Sequence, residues 1–207
     1  TMDGEMNLTG EAALYVTRVA GSPMRVTGDL TAVSGRPRID AATSFTDSSS
    51  ITFGAASAIL RFNGAAQIAN GTAFSGAGTL QVGTPGALTF ESGASTAGAM
   101  LSNFGRLSIA DGPGILGVDR FENAASGVWS VDIGGHVAGS EHDVMIVSPG
   151  QAQLAGTLEV NIVDGFEPMI GDEFVILTAL GGTNGSFANG AVGSCANGVR
   201  YQWTVVY

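Results

Sequence analysis

Lysine does not occur in this chain of 207 residues, and its eight cations are all arginines, scattered singly except where Arg36 and Arg38 flank Pro37. Against 18 acidic residues they leave a net charge of -10. Affinity for a phosphate backbone comes from clustered Lys and Arg that release counterions, so nucleic acid is excluded as an expected partner and an anionic membrane surface is disfavoured. Charged residues make up only 13% of the chain, about half the usual ~25%. An amphipathic helix needs long charged side chains on its outer face, and none is recognisable. With one cysteine, Cys195, no disulfide can form within the chain. Cys195 sits in a glycine-rich stretch with no base nearby, and it reads as a turn or small buried residue rather than a nucleophile. No apolar run approaches the ~18 residues of a membrane helix, and no charged and apolar leader opens the chain. Membrane insertion by this segment is not expected. The GxSxG, HExxH, GxxxxGK and CxxC signatures of several enzyme and cofactor classes are missing as well.

What is present is glycine, at 32 positions, separating short apolar alternations. Period-two alternation marks strands with one buried face, and it predicts strands at 12–16, 24–30, 51–53, 59–62, 79–82, 88–90, 106–109 and 128–133. Three stretches form a degenerate repeat: Phe74 with GAGTLQVG, Phe104 with GRLSIADG, and Phe121 with ENAASGVWSVDIGG. Each begins on phenylalanine and ends in an alternating strand closed by glycine. Coils of about 20 to 30 residues that stack apolar side chains on their neighbours produce such a texture. The fold class expected is all-β, a right-handed parallel β-helix (β-solenoid) with a C-terminal β cap. A β-sandwich of hairpins is the rival, but Asn63-Gly64, Asn70-Gly71 and Asp111-Gly112 lack the matched flanking strands that type I′ hairpins need.

The texture changes after about Gly139, giving two regions: solenoid coils over 1–139 and a capping β module over 140–207. In the second, Leu154, Gly156, Leu158, Val160 and Ile162 alternate with Ala155, Thr157, Glu159, Asn161 and Val163, reading as one half-buried strand. Asp164-Gly165, Pro168 and Gly171-Asp172 then mark turns before the apolar run from Phe174 to Leu177. A last one-sided strand carries Val199, Tyr201, Trp203, Val205 and Tyr207 on one face. The stretch from His142 to Phe187 carries Asp143, Val147, Ala152, Leu154, Gly156, Thr157, Leu158, Val160, Phe166, Pro168, Gly171, Asp172, Phe174, Leu177, Gly185 and Phe187 at set intervals. In this it resembles the C-terminal module that closes the β-helical passenger regions of bacterial autotransporters and related large exported surface proteins. The resemblance covers about a quarter of the chain. It implies a cap and an extracellular or bacterial cell-surface location, and names no chemistry. The chain begins in strand-and-turn composition at Thr1 and ends within an alternation at Tyr207, as a piece of something longer would.

Candidate chemistry is thin. Asp132, His136, Glu141, His142 and Asp143 form the densest polar cluster and hold both histidines. Zinc wants three or four ligands converging from fixed elements, whereas these are interrupted by Gly134, Gly135 and Gly139, so a solvated loop is the expectation, with His142 and Asp143 falling where a strand of the closing module begins. Asp111, Asp119 and Asp132 would bind calcium only if they stacked on adjacent coils; exposed turn positions are the commoner case. A hydrolase would need a carboxylate pair such as Asp111 with Asp132 at a set separation. Tyr15 and Trp129 would be sugar platforms if exposed, while Trp203 reads as core. Sequons at Asn7, Asn70 and Asn184 are expected by chance in such a composition. No catalytic, cofactor-binding or metal residue is assigned, and no cofactor. The expected function is a non-enzymatic extracellular structural or adhesive segment of a larger exported bacterial surface protein, with a cell-surface glycan or protein as partner. The rivals are a carbohydrate-binding or polysaccharide-cleaving β-helix and a self-assembling fibre or surface-layer subunit that associates with its own copies.

Overall fold

The computed structural model describes residues 24–110, 112–189 and 198–207, together with the strand backbones Met6–Leu8, Ala13–Leu14 and Ala191–Ala196. Tyr15, Asp111 and the side chains of Asn7 and Cys195 lie outside the described residues. Among the described residues there is no helix, and the chain winds into a parallel β-solenoid with three strands per coil. One face stacks Met6–Leu8, Asp29–Ala32, Ser50–Phe53 and Ala73–Ser75, and resumes as a separate sheet with Ala94–Ser95, Ile115–Val118, Val144–Val147 and Leu177–Ala179. The second face is one eight-stranded sheet from Ala13–Leu14 to Thr183–Gly185, and the third is a seven-stranded sheet from Met24–Val26 to Thr157–Ile162. Every pairing in these sheets is parallel.

Register explains why short alternations suffice. A strand of four residues buries two side chains, too few to hold a sheet alone, but stacking turns them into columns. On the second face Leu60, Leu80, Leu101, Phe121 and Ala152 form one inward column. On the third face Leu88, Leu107, Trp129 and Leu158 form another. All of these side chains are buried. At the usual ~4.8 Å between paired strands, the eight-stranded face makes a rod about 34 Å long.

Registered partners lie 19 residues apart at Leu88 and Leu107 and 23 at Ile51 and Phe74, and the spacing then widens to 29 at Trp129 and Leu158 and 32 at Met145 and Leu177. The additional residues are loops after Ile133 and after Ile162. Both loops leave the third face and return to the first, so they lie at the same corner of consecutive coils.

Several boundaries differ from the sequence reading. The stretch 24–30 turns a corner at Thr27-Gly28. The alternation from Leu154 to Val163 is two strands, Ala152–Leu154 and Thr157–Ile162, meeting at Gly156. There φ is +63°, and a Cβ would lie 2.3 Å from the Ala124 and Gly127 carbonyl oxygens. Alternation alone does not register a corner, because a turn that preserves inside-outside order keeps the period of two. The three phenylalanine-led stretches are also out of phase: Phe74 lies on the first face and Phe121 on the second, whereas Phe104 falls after a second-face strand.

Within 140–207 the coil from Val144–Val147 to Thr157–Ile162 stays in register with those before it, and Leu177–Ala179 and Thr183–Gly185 begin another. Its third strand is replaced by an antiparallel hairpin, Ala191–Ala196 with Val199–Thr204. Phe187 is buried against Trp129, ring centroids 6.1 Å apart, and closes the core. The Asn189 side-chain amide then substitutes for a neighbouring strand: its Oδ1 accepts the Leu158 N–H (3.0 Å) and its Nδ2 donates to the Leu158 carbonyl (2.7 Å).

Candidate functional site

The two inserted loops, 134–143 and 163–176, bring together most of the residues that suggested chemistry. Asp143, 1% exposed, sits where the first loop re-enters the first face. Its Oδ1 accepts the Gly114 N–H (2.8 Å) and its Oδ2 accepts the Asp132 N–H (2.9 Å). Its own N–H donates to the Asp132 carbonyl (2.9 Å), and Val144 donates to that of Gly114 (2.9 Å). One carboxyl thus ties both ends of a coil to the start of the next. Burial pushes this carboxyl up to about 7, opposed by the two amides that favour its charged form, with the nearby Asp132 charge adding to the rise.

His142 is likewise inside, at 3% exposed. Its Nδ1 lies 3.1 Å from the Gly135 carbonyl, which can only accept, so Nδ1 carries the proton and Nε2, also buried, has no hydrogen-bond partner. Phe174 meets the His142 ring edge to face (5.3 Å) and stacks on His136 from the other side (5.3 Å, 10° between planes). His136 is exposed, its Nε2 3.7 Å from Asp172 Oδ2. Phe166 stands perpendicular to both His136 and Phe174. From the hairpin, Trp203 reaches Phe174 (5.7 Å) and Tyr201 stacks beside it. The turn from Met169 to Asp172 is closed by the Asp172 carboxylate accepting the Met169 N–H (2.8 Å).

The five residues of the dense polar cluster therefore do not face a common point. Asp143 and His142 point inward, while Glu141 accepts the Val137 N–H (2.9 Å) within its own loop. Asp132 projects from the third face, where it accepts from Asn161 Nδ2 (2.9 Å). A strand restarts at Val144 as expected, but the side chains of Asp143 and His142 just before it are buried rather than solvated. Among the described residues no three His, Cys, Asp or Glu side chains are grouped to hold a metal ion. Asp119 lies at the corner between first and second faces, away from Asp132 on the third.

Elsewhere, Trp129 is 0% exposed and belongs to the core column, so it offers no sugar platform. Trp203 is half-buried against the core. On the third face Arg106 pairs with Glu159, which raises its pKa, and Ser130 accepts from Asn161 (2.9 Å). A shallow groove of about 260 Å³ on that face is lined by small uncharged side chains including Ser44, Gln67 and Thr89. Sequence reasoning missed the aromatic layer of His136, Phe166, Phe174 and Trp203. Phe166 and Phe174 were visible only as positions of a pattern, since His136 and Trp203, which flank them in the layer, come from positions 38 and 29 residues away from Phe174.

Comparison with models of known protein families, with curated proteins and with solved structures found no match to this chain.

Proposed function

We propose that the chain is a non-enzymatic structural or adhesive segment of a larger exported bacterial surface protein, acting outside the cell as a stalk. The observation that carries this reading is Asp143: the carboxyl with the most altered acidity has both oxygens engaged by amides of the neighbouring coil and is closed to solvent. Of the polar cluster, Asp143 and Asp132 are engaged in joining coils. The residues through which the chain resembles autotransporter passenger ends support the same reading, since Asp143, Gly156, Phe174 and Phe187 all occupy structural positions at or near the closing end. A rod with continuous core columns and polar outer columns is suited to holding a binding surface away from a membrane.

The test has two arms. Cells expressing the full-length parent should lose this segment to external protease while intact, and the purified segment should release no reducing sugar from a panel of neutral polysaccharides. Protection from external protease would overturn the location, and sugar release would overturn the non-enzymatic reading.

A further inference from the structure

The outer surface is sharply asymmetric. From Phe121 to Val199 the sequence contains nine acidic residues and no lysine or arginine. Exposed apolar side chains follow the same division. Among the described residues, Val33 and Ile115 are the large apolar side chains exposed before Val137, whereas nine are exposed from Val137 to Tyr207. They are densest on the two-loop crown, where Met169 is 72% exposed, Ile170 fully exposed, and Val137 and Val175 more than half exposed. Glu141, Asp164, Glu167 and Glu173, all exposed, lie on the same two loops. The same loops carry the half-buried rings of Phe166 and Phe174. A crown of apolar, aromatic and acidic side chains matches arginine, whose methylene stem covers apolar surface while its guanidinium pairs with carboxylates and stacks on rings.

This chain carries such a surface at its other end. Arg38 and Arg61 stand in register on the outside of the second face, and Arg36 is exposed beside them, because Pro37 between Arg36 and Arg38 accepts the Arg61 N–H (2.9 Å). Asp40, paired with Arg38, is the acid among them, and exposed Val33 adjoins Arg36 across two residues. We propose that the crown of one molecule receives the Arg36–Arg38–Arg61 surface of a second copy in a head-to-tail contact. The two surfaces are different patches of the same chain, so the contact is heterologous and each added copy presents a fresh crown. It makes no use of the hydrogen-bonding strand edges, and on the third face the Asn189 amide already occupies Leu158.

The experiment is sedimentation velocity on the purified segment across a concentration series, with three variants. Wild type should gain mass with concentration at low salt and revert toward monomer as salt rises. Met169→Ser with Ile170→Ser disrupts the crown, and Arg36→Glu with Arg61→Gln leaves Arg38 alone on the arginine surface; each variant alone should stay monomeric. Mixed in equal amounts they should form a 1:1 pair that grows no further, since each retains the surface that the other lacks. Arg36→Glu alone, at an exposed position, should weaken association at least tenfold and guards against misfolding of the double variant. Monomer at every concentration of wild type would overturn the proposal, as would undiminished association of the arginine variant, which would mean a symmetric crown-to-crown dimer. A mixture that remains monomeric would overturn it too. These outcomes are independent of protease accessibility and sugar release, so this contact and the surface role fail separately.

Discussion

Replacing Asp143 by asparagine keeps the shape of the side chain and changes what it can accept. The carboxyl receives N–H groups from Gly114 and Asp132, one on each oxygen. Asparagine has one acceptor oxygen, so one of these buried amides must face an NH2 group, at a cost of about 1–3 kcal/mol at any pH. The wild-type side chain has a different liability. Its proton is held until about pH 7 in the folded chain, whereas the unfolded chain releases it near 3.8. Below about pH 4 both states are protonated; as pH rises the unfolded state gives up its proton and the folded state does not, so stability falls until about pH 7. At ~1.4 kcal/mol per pH unit the loss is on the order of 4 kcal/mol. The neutral asparagine does not titrate. Asp143→Asn should therefore be less stable than wild type at pH 4.5 and equal or more stable at pH 8, the two crossing between about pH 5 and 7. Urea midpoints followed by tryptophan fluorescence, with Trp129 as the buried reporter, measure this. A constant difference between the two proteins from pH 4.5 to 8.5 would refute the assignment of a proton to Asp143.

Further tests concern the joints between coils. Asn123→Ala removes the acceptor of Asn103 Nδ2 and the donor to the Gly127 and Ala155 carbonyls, and should cost about 3 kcal/mol of stability in denaturant unfolding; an unchanged midpoint would count against these bonds. Gly156→Ala should prevent folding or cost more than ~3 kcal/mol, because a Cβ there meets two backbone carbonyls at 2.3 Å, while Gly165→Ala, at a similar φ of +70° with open space around it, should cost only about 1 kcal/mol. Comparable losses at both positions would mean that φ alone decides. Asn189→Ala should accelerate hydrogen exchange at the Leu158 amide at least tenfold while leaving that of Leu107 unaltered, and equal protection at Leu158 would show that the side chain is not its partner.

Much of the coil interior was legible because a stacked strand must be apolar at alternate positions whichever coil it occupies. Strands 59–62, 79–82, 106–109 and 128–133 coincide with Ile59–Phe62, Thr79–Val82, Arg106–Ile109 and Val128–Ile133. Corners were harder: Thr27-Gly28 and Gly156 leave the alternation intact while turning the chain onto another face. Strands such as Arg38–Ile39 and Ala94–Ser95 are two residues long and leave no period to detect. The crown was legible as components. Asp143 and His142 stood out by type, but their burial depends on Gly114, Asp132 and Gly135 folding around them. Phe174 contacts His136, His142, Phe166 and Trp203 only after two insertions have been placed at one corner.

The column Ile39, Phe62, Val82, Asn103, Asn123 and Leu154 bears on how the chain finds its alignment. A solenoid of similar coils is prone to a folding error in which one coil docks a level too early or too late, since leucine stacks on valine nearly as well as on isoleucine. The two asparagines remove that tolerance. Their amides are completed by each other and by carbonyls at one corner, and a slip of one level would set Asn123 against Val82 or Asn103 against Leu154, burying polar groups at about 1–3 kcal/mol each. A polar pair inside an apolar column thus works as a page number: it tells each coil which neighbour to join.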